Sequence, residues 1–183
     1  MKYLKVIMYE FSFSNRNLRE MTTAGSLGFD LIYFSVGNGE KVYNKNHEIV
    51  TRKYNLSNYR FIRIIQLLYK WIIRDPFYIK KINPDFISCQ DINALFIGWL
   101  STISLRRKKK PLLIYDSHEF ELGRNTLGKR TKLTTFFIKK LERFLIKRSA
   151  FSIFACDSAA LEVQKIYRLK EKPLVVRNIP EKW

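Results

Sequence analysis

Apolar and polar positions along this chain repeat in two alternating ways. Short runs with no alternation read as strands buried on both faces. They cover Tyr3 to Tyr9, Phe29 to Ser35, Phe86 to Cys89, Leu112 to Asp116, Phe151 to Ala155 and Leu174 to Arg177. Between them lie stretches with helical spacing. Leu18 to Ala24 reads as a short helix closed by Gly25 or Gly28. Ser57 is placed to cap a helix to about Arg74, with apolar positions 61, 64, 65, 68 and 72, basic positions 60, 63, 70 and 74, and Asp75-Pro76 as its stop.

Asp91 is placed to cap an apolar helix over 92–105. Leu133 to Arg148 carries an apolar stripe at 133, 137, 141, 144 and 145 opposite Lys139, Lys140, Arg143 and Lys147. Asp157 or Ser158 caps a last helix ending near Arg168. His47 to Tyr54 alternates loosely and reads as an edge strand, and Gly37-Asn38-Gly39 as a turn. Strands alternating with helices imply an α/β fold: a Rossmann-like, doubly wound, mostly parallel sheet of about six to seven strands, helices on both faces, joined by right-handed crossovers.

Composition narrows the class. The chain has 183 residues, enough for one domain with a sizeable core. Its formal net charge is +18, which predicts an anionic partner such as nucleic acid, a membrane surface or a phosphorylated substrate. No apolar stretch reaches the length needed to span a bilayer, and no signal peptide is visible. Cys89 and Cys156 fall on strands two positions apart, roughly 9–10 Å, beyond disulfide reach. Both are expected to be buried free thiols in a reducing compartment.

The candidate chemistry gathers where the run from Leu112 breaks into Asp116-Ser117-His118-Glu119. Ligands of open α/β sheets bind at the carboxyl ends of strands, and one of the two histidines is here between carboxylates. Within one extended tripeptide, Asp116, Ser117 and His118 cannot form a catalytic triad, because neighbouring side chains point to opposite faces. His47, His118 and the cysteines show no metal-ligand spacing, so no metal is expected. Gly123 and Gly128-Lys129 have Walker spacing, but Arg130 stands where Ser or Thr should hold magnesium. The run Arg106, Arg107, Lys108, Lys109 and Lys110 suits an anionic lipid surface, worth at most about 5 kcal/mol at about 1 kcal/mol per cation.

Four stretches together resemble the amino-terminal half of GT-B glycosyltransferases of the family 4 type. They are Asn15-Arg16-Asn17-Leu18-Arg19-Glu20; Pro84 to Asp91; Tyr115-Asp116-Ser117-His118-Glu119, the most specific; and Asp157-Ser158 followed by Val175 to Glu181. The resemblance implies the acceptor-binding lobe of a retaining, metal-independent transferase, with no cofactor beyond a nucleotide-sugar donor. It implies His118 as the catalytic side chain near the reacting carbon, with Glu119 orienting it. Asp116, Asp91, Arg16 and Asn178 would be substrate-binding. The family's histidines before the strand-four aspartate are Ser88 and Gln90 here.

On this reading 1–178 form the lobe and 179–183 open an interdomain linker. The donor-binding domain is then missing, and the chain is inactive alone unless a separate domain or subunit supplies it. The expected setting is the cytoplasmic face of the membrane, bound peripherally, acting on a lipid-linked or membrane-bound glycan acceptor in polysaccharide biosynthesis. Two other classes are a basic nucleic-acid-binding module and a non-catalytic truncated fragment. Nucleic acid is disfavoured because most aromatics fall at core positions and no RNA-binding signature appears.

Overall fold

A computed structural model describes residues 1–8, 15–37, 41–44, 47–103, 110–117 and 131–177. Its strands are β1 (Lys2–Val6), β2 (Asp30–Gly37), β3 (Lys41–Asn44), β4 (His47–Lys53), β5 (Phe86–Gln90), β6 (Leu112–Ser117), β7 (Phe151–Phe154) and β8 (Leu174–Val175). Its helices are α1 (Asn15–Ser26), α2 (Arg60–Tyr69), α3 (Asp75–Ile82), α4 (Asp91–Ile103), α5 (Lys132–Ile146) and α6 (Asp157–Tyr167), with a π-helical turn at Lys70–Arg74 between α2 and α3.

The described strands form one sheet in the order β3-β4-β2-β1-β5-β6-β7-β8. All pairings are parallel except β3 with β4. The fold is therefore the expected mostly parallel, Rossmann-like α/β layer. The β1-to-β2 crossover runs toward one edge and the crossovers through α3, α4, α5 and α6 toward the other, so right-handed connections put α1 on the opposite face from the rest. The core shows this. Leu4, Val6, Ile87, Cys89, Leu113, Tyr115 and Phe154 pack with residues of α3–α6, whereas Ile7, Leu31 and Tyr33 pack with Ala24 of α1.

Three expectations are corrected. The 47–54 segment is not an edge strand: β4 lies between β2 and β3, its outer rim paired by the antiparallel β3. Asp75-Pro76 does not stop the helix. Proline instead sits at the start of α3, where its missing N–H costs no intrahelical bond, and the wide turn before it makes room for the ring. Ser57 does not cap α2 either. The capping position is Tyr59, and Ser57 forms a turn ahead of it, its Oγ accepting from the Tyr59 N–H at 3.2 Å.

A fourth correction concerns which way two helices face. On α2 the apolar stripe points outward: Phe61, Ile64, Ile65 and Leu68 are all exposed, and Phe61 is 75 % so. The side turned to the protein carries Gln66, Lys70 and Arg74, spaced four apart. Gln66 Oε1 accepts from the Ser57 N–H at 2.8 Å, and Lys70 and Arg74 both stack over the Tyr54 ring. Asp75, fully buried, accepts from Arg74 Nε at 2.7 Å and from the Tyr54 hydroxyl. On α5, of the expected stripe only Leu145 is buried; Leu133, Phe137, Leu141 and Phe144 are exposed. There Glu142 turns inward, receiving the hydroxyls of Tyr115 (2.8 Å) and Tyr167 (2.6 Å) and tying β6, α5 and α6 together.

Candidate functional site

Strands β1, β5 and β6 lie side by side and end at one edge of the sheet. There β5 passes directly into α4 at Asp91, whose φ of 65° puts a non-glycine residue in the left-handed region. Such strain costs about 1–3 kcal/mol and gathers at functional sites. Gln90 is register partner to Asp116 on β6, so Asp91 and Asp116 occupy neighbouring strand ends.

Asp116 is part of a charged cluster on the α1 face. Lys5, in mid-β1, is fully buried. Its Nζ lies 2.6 Å from Asp116 Oδ2, 2.7 Å from Glu20 Oε2 and 3.3 Å from Ser88 Oγ. The Tyr3 hydroxyl donates to Glu20 Oε1 at 2.7 Å, and Ser88 Oγ donates to the same oxygen at 3.3 Å. Burial alone would lower the Lys5 pKa, but the two carboxylates outweigh it and hold the ammonium above its ordinary value. Burial, and then the Glu20 charge, push the Tyr3 phenol well above the usual range. The cluster is thus an ion-paired clamp between β1, α1 and β6. It borders a largely apolar cavity of about 460 Å³, lined among others by Tyr3, Glu20, Leu27, Asp116, Val176 and Arg177.

Of the sequence-predicted residues, Asp91 and Asp116 are brought to one edge. Lys110 is exposed at the amino end of β6, at the opposite edge from Asp116. His118, Glu119 and Asn178 lie outside the described residues, as do Arg106, Arg107, Lys108, Lys109 and the Gly123–Lys129 loop. Arg16 falls in α1, and its side chain also lies outside the described residues. Sequence reading missed Lys5, Glu20 and Ser88. The available signal was a lysine inside an otherwise apolar strand run, which requires a buried counter-charge.

Cys89 is buried and free as expected; Cys156 is free but exposed, correcting the expectation for that thiol. Among the described residues, no group of three or more His, Cys, Asp or Glu could hold a metal ion. No helix among them is long and apolar enough to cross a membrane.

No protein-family model and no curated protein sequence matches this chain. Solved structures do. What they show is a class of fold, a Rossmann-like α/β lobe that matches one half of a GT-B fold. One of these structures is sucrose-phosphate synthase from Thermosynechococcus elongatus, with a TM-score of 0.62 at 10 % identity. The alignment covers 96 % of this chain and 47 % of that one, so the chain spans about half the length of its structural neighbour.

Proposed function

We propose that this chain is the acceptor-side lobe of a glycosyltransferase of the family 4 type. It moves a sugar from a nucleotide-sugar to a membrane- or lipid-linked glycan at the inner face of the cell membrane. The observation that carries the reading is a conjunction. Tyr115, Asp116 and Ser117 of the Tyr115–Glu119 motif form the carboxyl end of β6, beside the strand end bearing Asp91, with His118 and Glu119 next in sequence, in a lobe that superposes on half of the sucrose-phosphate synthase chain.

The Lys5 clamp supports it by tying Asp116, near the carboxyl end of β6, to β1 and α1. A group that handles a transferring sugar must be held to within a fraction of an ångström. In this mechanism a neutral His118 imidazole hydrogen-bonds a donor-sugar hydroxyl or steadies the charge developing at the reacting carbon. Glu119 orients that ring, and Asp91, Asp116, Arg16 and Asn178 bind substrate. The donor itself is held mainly by a second lobe, contributed by another segment or subunit. The reaction retains configuration and uses no metal.

The cations Arg106 to Lys110 keep the lobe at an anionic surface where a phosphate-bearing acceptor resides. The test is reconstitution. Supplying a donor-binding lobe as a fusion or in trans should give sugar transfer that His118→Ala abolishes. Undiminished transfer by that variant removes the imidazole from the reaction.

A further inference from the structure

We propose that the outward apolar faces of α2–α3 and α5 form an interfacial docking surface for an anionic lipid bilayer. The proposal deepens the membrane element of the reading above. It moves the contact from a run of cations alone to a surface that inserts.

The first observation is the inversion of α2. A helix of a water-soluble domain turns its apolar stripe inward; across α2, the π-helical turn and α3 the side toward the protein carries half-buried Gln66, Leu67, Trp71 and Arg74 with buried Lys70, while Tyr59, Phe61, Ile65, Leu68, Ile72 and Phe77 face the outside. The polar side is committed to Tyr54, Asn55 and Asp75 by specific contacts, so the orientation is built rather than incidental. An exposed apolar surface of this extent marks an interaction face.

The second observation is charge. Between Ser57 and Ile82 the one acidic residue is Asp75, and between Lys132 and Arg148 it is Glu142; both are fully buried. Every exposed charged side chain on the two segments is therefore a cation, including Arg60, Arg63, Lys81, Lys139 and Lys140. Several of them lie over aromatic rings: Lys81 over Phe77 at 4.9 Å, Lys140 over Phe136 at 5.4 Å and Arg148 over Phe144 at 3.5 Å. A ring with a cation against it suits the headgroup–acyl boundary, where the ring meets the apolar layer and the cation meets lipid phosphate.

The third is placement. Both segments cross the sheet in the same direction, on the face away from α1, with α4 packed between α3 and α5. One planar partner can therefore meet both. A symmetric dimer through this face is disfavoured, because like surfaces would meet and bring cations against cations.

The experiment is vesicle binding by the full chain. Phosphatidylcholine vesicles carrying about 30 % phosphatidylglycerol should sediment it, and pure phosphatidylcholine vesicles should not. The triple variant Phe61→Ser/Ile65→Ser/Leu68→Ser should lose binding by about tenfold or more. All three side chains are exposed, so its circular dichroism and melting should stay at wild-type values. Lys139→Glu/Lys140→Glu should weaken binding to anionic vesicles and make it less sensitive to salt. In Phe61→Trp, acyl-chain-brominated lipid should quench the added fluorescence.

Equal binding by the triple variant, or no quenching at position 61, overturns the proposal. So does a wild-type chain that forms dimers which the triple variant dissolves, or that binds an acidic protein through this face and no vesicle. The outcome is separable from that of the transfer reaction. Vesicle binding without reconstituted transfer leaves the docking surface standing and the transferase reading in default; transfer without vesicle binding does the reverse.

Discussion

Replacing Lys5 by methionine keeps most of the side chain's volume and removes its charge. The ammonium is fully buried and within 2.7 Å of two carboxylates. Removing one partner of a buried ion pair costs about 3–5 kcal/mol, because the other charge is left buried without compensation. Asp116, at 5 % side-chain exposure, bears that penalty, whereas Glu20, at 21 %, keeps partial access to water. The lower end, about 3 kcal/mol, is therefore expected.

For a chain of this size that is a fall in Tm of roughly 6–12 °C. Urea unfolding followed by far-ultraviolet circular dichroism measures it, as a lower midpoint with an unchanged slope. Adding Asp116→Asn to Lys5→Met should return about half of the loss, since the one carboxylate then left without its cation is Glu20, which keeps partial access to water. The pH dependence has a definite sign. The folded pKa of Lys5 is raised above the ordinary 10.5, so its contribution is fully present below that value and disappears only as pH climbs through the higher folded one. The difference between wild type and Lys5→Met should hence stay flat from neutral pH to about pH 10. A neutral Lys5→Met substitution, or a double variant worse than the sum of its parts, would refute the idea that these charges depend on one another.

Three further outcomes follow from local geometry. Gly98 lets α4 sit against β5, since an added Cβ would lie 2.4 Å from Cys89 Sγ; Gly98→Ala should cost about 1–3 kcal/mol in urea unfolding, and Cys89→Ala should relieve part of it. Iodoacetamide near neutral pH should label one thiol, Cys156, whose pKa is lowered chiefly by its hydrogen bond with Ser158; burial pushes the Cys89 thiol up, so mass spectrometry should show a second adduct only after denaturation. Arg168 closes α6 with φ 52° and an exposed side chain, so Arg168→Gly should raise stability by about 1 kcal/mol, and an unchanged or lower midpoint would count against strain there.

Much of this architecture was legible in the chain itself. The runs at Leu112 to Asp116 and Phe86 to Cys89 lack alternation because parallel strands are covered on both faces, and that property is local. Their separation by helices then leaves few topologies open. The place of Asp116 at a carboxyl strand end followed from the same reasoning, whereas Asp91 read as a helix cap and entered the site only through the family resemblance. Two things did not follow. Helical periodicity identifies a stripe on α2 and α5 but not the direction in which it points. That depends on whether the polar side finds partners, and in the turn that continues α2, Lys70 and Arg74 find Tyr54, Asn55 and Asp75.

The clamp at Lys5 was equally hidden. Its carboxylates stand 15 and 111 positions along the chain, and only the crossing of α1 over β1 and the pairing of β5 with both β1 and β6 brings them within 2.7 Å. Local sequence sets strand and helix because those depend on neighbouring dihedral angles and periodicity. The burial of a charge and the outward turn of an apolar face depend on which distant groups arrive opposite, and tertiary structure alone decided both.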